Sequence, residues 1–159
     1  MIFVTIGTQE PFDRLIKVMD ELALELKDIE IIAQVSQTNY KIKNMKILNF
    51  VAPAEFNKYF SEAQLVVSHA GMGTIISALE QKKPIIVMPR LMQYKEHRNE
   101  HQLATANRFD KLGYIHVAYN EDELKNRLID ILTGNLKPLY SIGDVASDEL
   151  IKSIKDFIA

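Results

Sequence analysis

Residues 67–80 read VSHAGMGTIISALE. An apolar run ends in a histidine, glycines follow at 71 and 73, and a helix-forming stretch begins. The first N–H groups of a helix lack an intrahelical acceptor, and the helix dipole adds partial positive charge there. An anion such as phosphate is stabilised at such a turn. Gly71 and Gly73 remove the Cβ atoms that would hold a phosphate off, and they permit positive φ; Thr74 offers a hydroxyl donor. The same glycines also suit a tight strand-to-helix turn that binds nothing, and the local pattern leaves both readings open.

A second constellation is HRNEH, His97 to His101, which matches the H-x-x-E-H pattern of inverted zinc hydrolases. On a helix, His97 and His101 would share a face beside Glu100, as metal ligands must. The sequence picks out no third ligand, so polar packing or a helix-start hydrogen bond is the simpler role for these histidines. Residues 121–123, EDE, read as an acidic first helical turn rather than a metal-binding carboxylate cluster. Lys41, Lys43 and Lys46 read as a solvated loop, and as the one stretch positive enough to face an anionic membrane.

Several chemistries are excluded. The dinucleotide fingerprint is incomplete, with Ile76 where its third glycine belongs, and the second expected strand ends in AQVSQTN without an acid for a ribose. There is no P-loop, no nucleophile elbow and no D-x-D pair for a divalent ion. The absence of cysteine removes disulfides and thiolate metal sites. A net charge of −2 gives no electrostatic footprint for nucleic acid, so no nucleic-acid partner is expected.

These residues need elements to position them. Continuous apolar runs predict strands over 2–6, 30–35, 46–51, 64–69, 83–89 and 114–119. Helical periodicity and punctuation predict helices over 11–26, 53–63, 72–81, 98–113, 120–134 and 147–159, with a loop over 135–147. Strands that are apolar throughout suit a parallel sheet covered on both faces. The alternation predicts one α/β domain over 1–159, a doubly wound Rossmann-like parallel sheet. Ligands of such sheets lie beyond the strands' carboxyl ends. Three segments should meet there: GTQEP after the first strand, SHAGMGT after the fourth and MPRLMQYKEHRNEHQ after the fifth. The start, MIFVTIGTQEPFDRL, lacks the basic n-region of a signal peptide, and a cytoplasmic protein is expected.

Taken together, IFVTIGTQEPFDRLI, VSHAGMGTIISALEQKKPIIVMPR and YKEHRNEHQLATA resemble the PssE-type glycosyltransferase subunits of capsule and exopolysaccharide synthesis. Those subunits are similar to the catalytic half of the eukaryotic two-part N-acetylglucosaminyltransferase and to the C-terminal domain of family 28 glycosyltransferases. The likeness spans residues 2–118 in order. It implies the donor-binding, C-terminal half of a GT-B glycosyltransferase, taking a hexose (galactose, glucose or N-acetylglucosamine) from a UDP-sugar to a polyprenyl-diphosphate-linked acceptor, with no metal or other cofactor. It further implies that Gly7 and Thr8 lie near the diphosphate or the domain cleft, and that His69, Gly71, Met72, Gly73 and Thr74 line the diphosphate loop. Arg90, Glu96, His97, Asn99, His101 and Gln102 match the segment that holds the donor sugar in related enzymes, and His97 and His101 are the candidates for a catalytic role. Two departures stand out: Ser77 occupies the position of a ribose-binding glutamate, with Glu80 about one turn on, and Lys95 replaces a glycine. The resemblance also implies a membrane-anchored, acceptor-binding partner subunit that recruits the chain to the inner face of the membrane. A non-catalytic UDP-sugar-binding subunit is the alternative, and a zinc hydrolase using His97, Glu100 and His101 a distant one.

Overall fold

The computed structural model describes residues 1–49, 51–134, 136–141 and 148–158. Its strands are β1 (Ile2–Thr5), β2 (Ile31–Gln34), β3 (Lys46–Leu48), β4 (Leu65–His69), β5 (Ile85–Met88) and β6 (His116–Val117). Its helices are α1 (Asp13–Glu25), α2 (Pro53–Glu62), α3 (Met72–Glu80), α4 (His101–Leu112), α5 (Glu121–Thr133) and α6 (Asp148–Ile158). Every strand pair is parallel, in the order β3-β2-β1-β4-β5-β6. This is the doubly wound order in which the chain reverses direction across the sheet between β1 and β4. The loops leaving those two strands therefore diverge and open a crevice.

Alternation along the strands divides the core. Ile2, Val4 and Ile6 face one side, packed against Leu15, Met19 and Leu22 of α1 and Leu124 and Leu128 of α5. Phe3 and Val66 face the other side, with Phe60 of α2, Ile75 and Leu79 of α3, Phe109 of α4 and Leu150 of α6. Strands buried on both faces show no polar alternation, which is why they read as continuous apolar runs. The edge strand β3 departs from this, because Lys46 and Ile47 are exposed.

The helix predicted over 98–113 begins only at His101; residues 91–100 form a loop with a 3₁₀ turn at Met92–Tyr94. Asn99 forms a turn just ahead of the helix: its side-chain oxygen accepts the His101 N–H at 2.9 Å, while the N-cap, Glu100, makes no side-chain capping bond. α4 ends where Gly113 adopts the left-handed conformation, φ 70°. Within the predicted loop 135–147, residues 135 and 142–147 lie outside the described residues, as do Phe50 of the third predicted strand and Ala159 of the last helix. α6 packs on its own domain: Leu150 is buried and Arg108 donates to the Ser153 hydroxyl at 2.7 Å. Among the described residues no helix is long and apolar enough to cross a membrane.

Candidate functional site

The loops after β1, β4 and β5 meet around a cleft of about 500 Å³, lined among others by Gly7, Thr8, His69, Gly71, Gly73, Thr74, Arg90, His97 and Gln102. Nine of the residues expected at the site are thus brought together. Met72, Glu96, Asn99 and His101 are not.

Gly71 is the N-cap of α3 and no side chain caps it. Ile75 N–H returns to the Gly71 carbonyl at 3.1 Å, so the amides of residues 72–74 are left for a ligand. Gly71 does not use the positive φ that a glycine permits: it is extended, with φ −85° and ψ 131°, and among the described residues the glycines with positive φ are Gly7 and Gly113. The two glycines of the turn serve different ends. A Cβ on Gly71 would stand 2.2 Å from Cε1 of His69, so that glycine makes room for the imidazole. A Cβ on Gly73 would meet nothing within 4 Å. Gly73 is the bare backbone that faces open space at the helix start.

The His69 ring lies between Gly7 and Gly71, with Nε2 3.0 Å from where a Gly7 Cβ would be. Burial pushes its pKa down to about 3, helped by the Arg90 and His97 charges, so the ring is neutral near pH 7. Arg90, buried behind it, is held by backbone carbonyls at the edge of the cleft. Its guanidinium donates to the carbonyls of Ile6 at 2.6 Å, Glu10 at 2.5 Å and Pro11 at 3.3 Å, and stands 3.2 Å from Nδ1 of His69. Its carbon also lies 5.1 Å from the Phe12 ring centroid. Arg90 therefore shapes the GTQEP loop and leaves a fixed cation beneath the cleft. Burial lowers its pKa to about 10, against the pull of Glu10 and Glu96, and it stays charged at neutral pH.

Glu96 is occupied too. It accepts Nε and Nη2 of Arg14 at 2.7 and 3.0 Å, and the Leu91 N–H at 2.9 Å. The pair ties α1 to the loop after β5 and leaves little of Glu96 for a sugar. Met72 turns away and lines a small gap with Phe109, Leu150 and Phe157. His101 follows it: its ring centroid is 5.5 Å from that of Phe157 of α6. Because His97 precedes α4, the shared helix face assumed for a zinc site does not exist. Among the described residues no group of three or more His, Asp or Glu is placed to hold a metal.

One residue and one hollow were not anticipated from the sequence. Gln34 accepts the Thr5 hydroxyl at 2.7 Å and donates to the Gly7 carbonyl at 3.2 Å. The pair holds Gly7 at φ 76°. A glutamine inside the otherwise apolar run IIAQV was the available signal. The second miss is a hollow of about 640 Å³ that adjoins the cleft, shares Gly7, Thr8 and Thr74 with it, and is walled by Val51, Pro53 and Phe56. Neither Ser77 nor Glu80 lines either space.

The profile of the glycosyltransferase family 28 C-terminal domain matches residues 1–156. A curated relative, the UDP-N-acetylglucosamine transferase subunit ALG13 of Eremothecium gossypii, is 33% identical over 117 residues, 72% of this chain and 56% of its own length. The chain thus spans little more than half of that relative. The NMR structure of ALG13 superposes with a TM-score of 0.64 at 23% identity, covering 96% of this chain and 93% of that one. The MurG crystal structure from Acinetobacter baumannii gives 0.57 at 18% identity, with 98% of this chain matched to 49% of that one. The sheet is thus shared with one half of a larger two-domain fold, the Rossmann-like C-terminal half of GT-B.

Proposed function

The chain belongs to the glycosyltransferase family 28 C-terminal domain family, and from that premise we propose that it is the donor-binding subunit of a UDP-sugar-dependent glycosyltransferase. The observation that carries this is the uncapped start of α3 at Gly73, open to the cleft and flanked by the His69 imidazole and the buried Arg90 cation. The diphosphate lies across residues 73–74, where amide dipoles and the charge of Arg90 favour it without a metal. The adjoining hollow takes the nucleoside: Val51, Pro53 and Phe56 offer a flat apolar wall, and Asn49 and Gln37 offer amides for the base's polar edge. Because curated relatives are named UDP-N-acetylglucosamine transferase subunits, N-acetylglucosamine is the proposed sugar.

Transfer forms a bond from the acceptor hydroxyl oxygen to the anomeric carbon and breaks the carbon–oxygen bond to the diphosphate. The electron pair leaves with UDP, whose growing negative charge meets dipoles already in place. The hydroxyl proton needs a base. His69 Nδ1 is engaged by Arg90 and Gln102 at 3.2 Å each, and His97 Nδ1 accepts the Asn99 N–H at 3.4 Å. The His69 ring then carries its proton on Nε2 and presents a donor, and Nδ1 of His97 is already an acceptor within its own loop. We therefore assign the base to a partner subunit. The fuller reading has a membrane-anchored partner that carries a polyprenyl-diphosphate acceptor at the inner face of the membrane, in capsule or exopolysaccharide synthesis. It rests on the resemblance of sequence motifs, and the subunit names of the relatives support its two-part arrangement.

Calorimetric titration with UDP-N-acetylglucosamine tests the site. Gly73→Asp places a carboxylate where the diphosphate lies, at a helix start that tolerates acids. The expected result is an unchanged melting temperature with affinity reduced at least about tenfold, the equivalent of one lost charge-assisted contact. Undiminished affinity would overturn the assignment.

A further inference from the structure

We propose that Gln102 is a positioning residue that fixes the tautomer of His69, so that the imidazole presents Nε2–H to the cleft. Gln102 lies in the first turn of α4 and is buried. Its Oε1 accepts two backbone N–H groups, from Ala70 at 3.2 Å and from Arg90 at 3.1 Å. Those are residues just beyond β4 and β5, so one amide oxygen pins the two loops that form the cleft. The two bonds also decide which end of the amide is oxygen, since only oxygen can accept both.

The other end of the amide is therefore a donor. Gln102 Nε2 lies 3.2 Å from His69 Nδ1, and Arg90 Nη1 lies 3.2 Å from the same atom. A guanidinium has no acceptor, and an amide nitrogen has none. Two donors converge on one ring nitrogen, which must hold a lone pair. In a neutral imidazole the proton then sits on Nε2. That atom faces Gly7 and Gly71, and among the described residues it makes no hydrogen bond. An N–H of fixed direction aimed into an anion site needs no reorganisation when charge arrives. The opposite tautomer would aim a lone pair at the anion.

The charged groups around the ring agree. Arg90 and His97 both disfavour protonation of His69. Glu10 of the loop after β1 lines the same cleft, and Glu96 is engaged with Arg14. Gln102 was expected to hold the donor sugar; its oxygen is committed to two backbone amides and one of its N–H groups to His69.

The test is nitrogen NMR on the full-length chain with ¹⁵N-labelled histidine and glutamine side chains. At neutral pH, His69 Nδ1 is expected at the unprotonated resonance position and Nε2 at the protonated one. A scalar coupling across the hydrogen bond should link Gln102 Nε2 to His69 Nδ1. Gln102→Glu keeps the oxygen that holds the two loops and replaces the donor with an anionic acceptor, to which the Arg90 guanidinium can turn from Nδ1, so Nδ1 should become protonated. UDP-N-acetylglucosamine affinity should then fall about tenfold at neutral pH, the effect of a lost hydrogen bond to a charged group. It should recover as pH is lowered and the ring gains its second proton. A protonated Nδ1 in the unmodified chain, a missing coupling, or an unchanged tautomer in a folded Gln102→Glu variant would each overturn the proposal. The affinity arm alone rests on the cleft being a UDP-sugar site: the expected tautomer in a chain that binds no UDP-sugar would sink that reading and leave the role of Gln102 standing.

Discussion

The turn after β4 and the segment after β5 bound the same cleft, and they behave oppositely. In the turn, the helix start stands open as the residue types suggest, although Gly71 makes room for His69 and Met72 turns away. The helix start is uncapped, Gly73 faces open space, and Thr74 lines both hollows. In the segment, the residues that look most like ligands are committed to protein partners, even where, like Arg90 and Gln102, they line the cleft. Arg90 is spent on three carbonyls and a histidine, Glu96 on Arg14, Gln102 on two backbone amides, and Asn99 on the turn before α4. A short turn leaving a strand has one path, so local sequence fixes where its atoms point. A long irregular segment must first satisfy its own polar groups, and strong hydrogen-bonding side chains are the means.

The sharpest way to break this contrast is Arg90→Met. If Arg90 frames the loops, the variant loses four hydrogen bonds and leaves three carbonyls without their donor. Chemical denaturation should show a loss of about 2–4 kcal/mol, with UDP affinity lost as well. A chain of unchanged stability that binds sugar nucleotide less well would make Arg90 a ligand after all. Arg90→Lys should not rescue, because an ammonium cannot reach several separate acceptors at once.

A smaller effect separates the two glycines. Gly71→Ala forces a methyl group onto His69 and should cost about 1–3 kcal/mol. Removing the ring as well, in Gly71→Ala with His69→Ala, should recover most of that loss, a coupling that denaturation midpoints of the four proteins measure. If the two losses simply add, the glycine serves the backbone and not the histidine.

The smallest effect concerns His101. It packs beside Phe157, away from the cleft, so His101→Ala should leave UDP-sugar affinity within about twofold, as expected of a surface change. Titration calorimetry checks it. A large loss would return His101 to the site and weaken the contrast between turn and segment.

Sequence by itself determined the architecture. Six largely apolar runs separated by helical periodicities allow little but a parallel sheet wound on both faces, since the inner strands must bury both sides. It also marked the turn at 71–74, because an uncapped helix start behind glycines is a local property. It located the three segments that meet, and it could not say how they meet. Whether Gly71 makes room for a phosphate or for His69, and whether Gln102 touches a sugar or an imidazole, depends on atoms from strands far apart in the chain. His69 and Gln102 are brought together by the pairing of β4 with β5 and the return of α4 onto the sheet. Side-chain direction and tautomer follow from which donors and acceptors the fold places within about 3 Å of one another, and no spacing along one strand or loop encodes that.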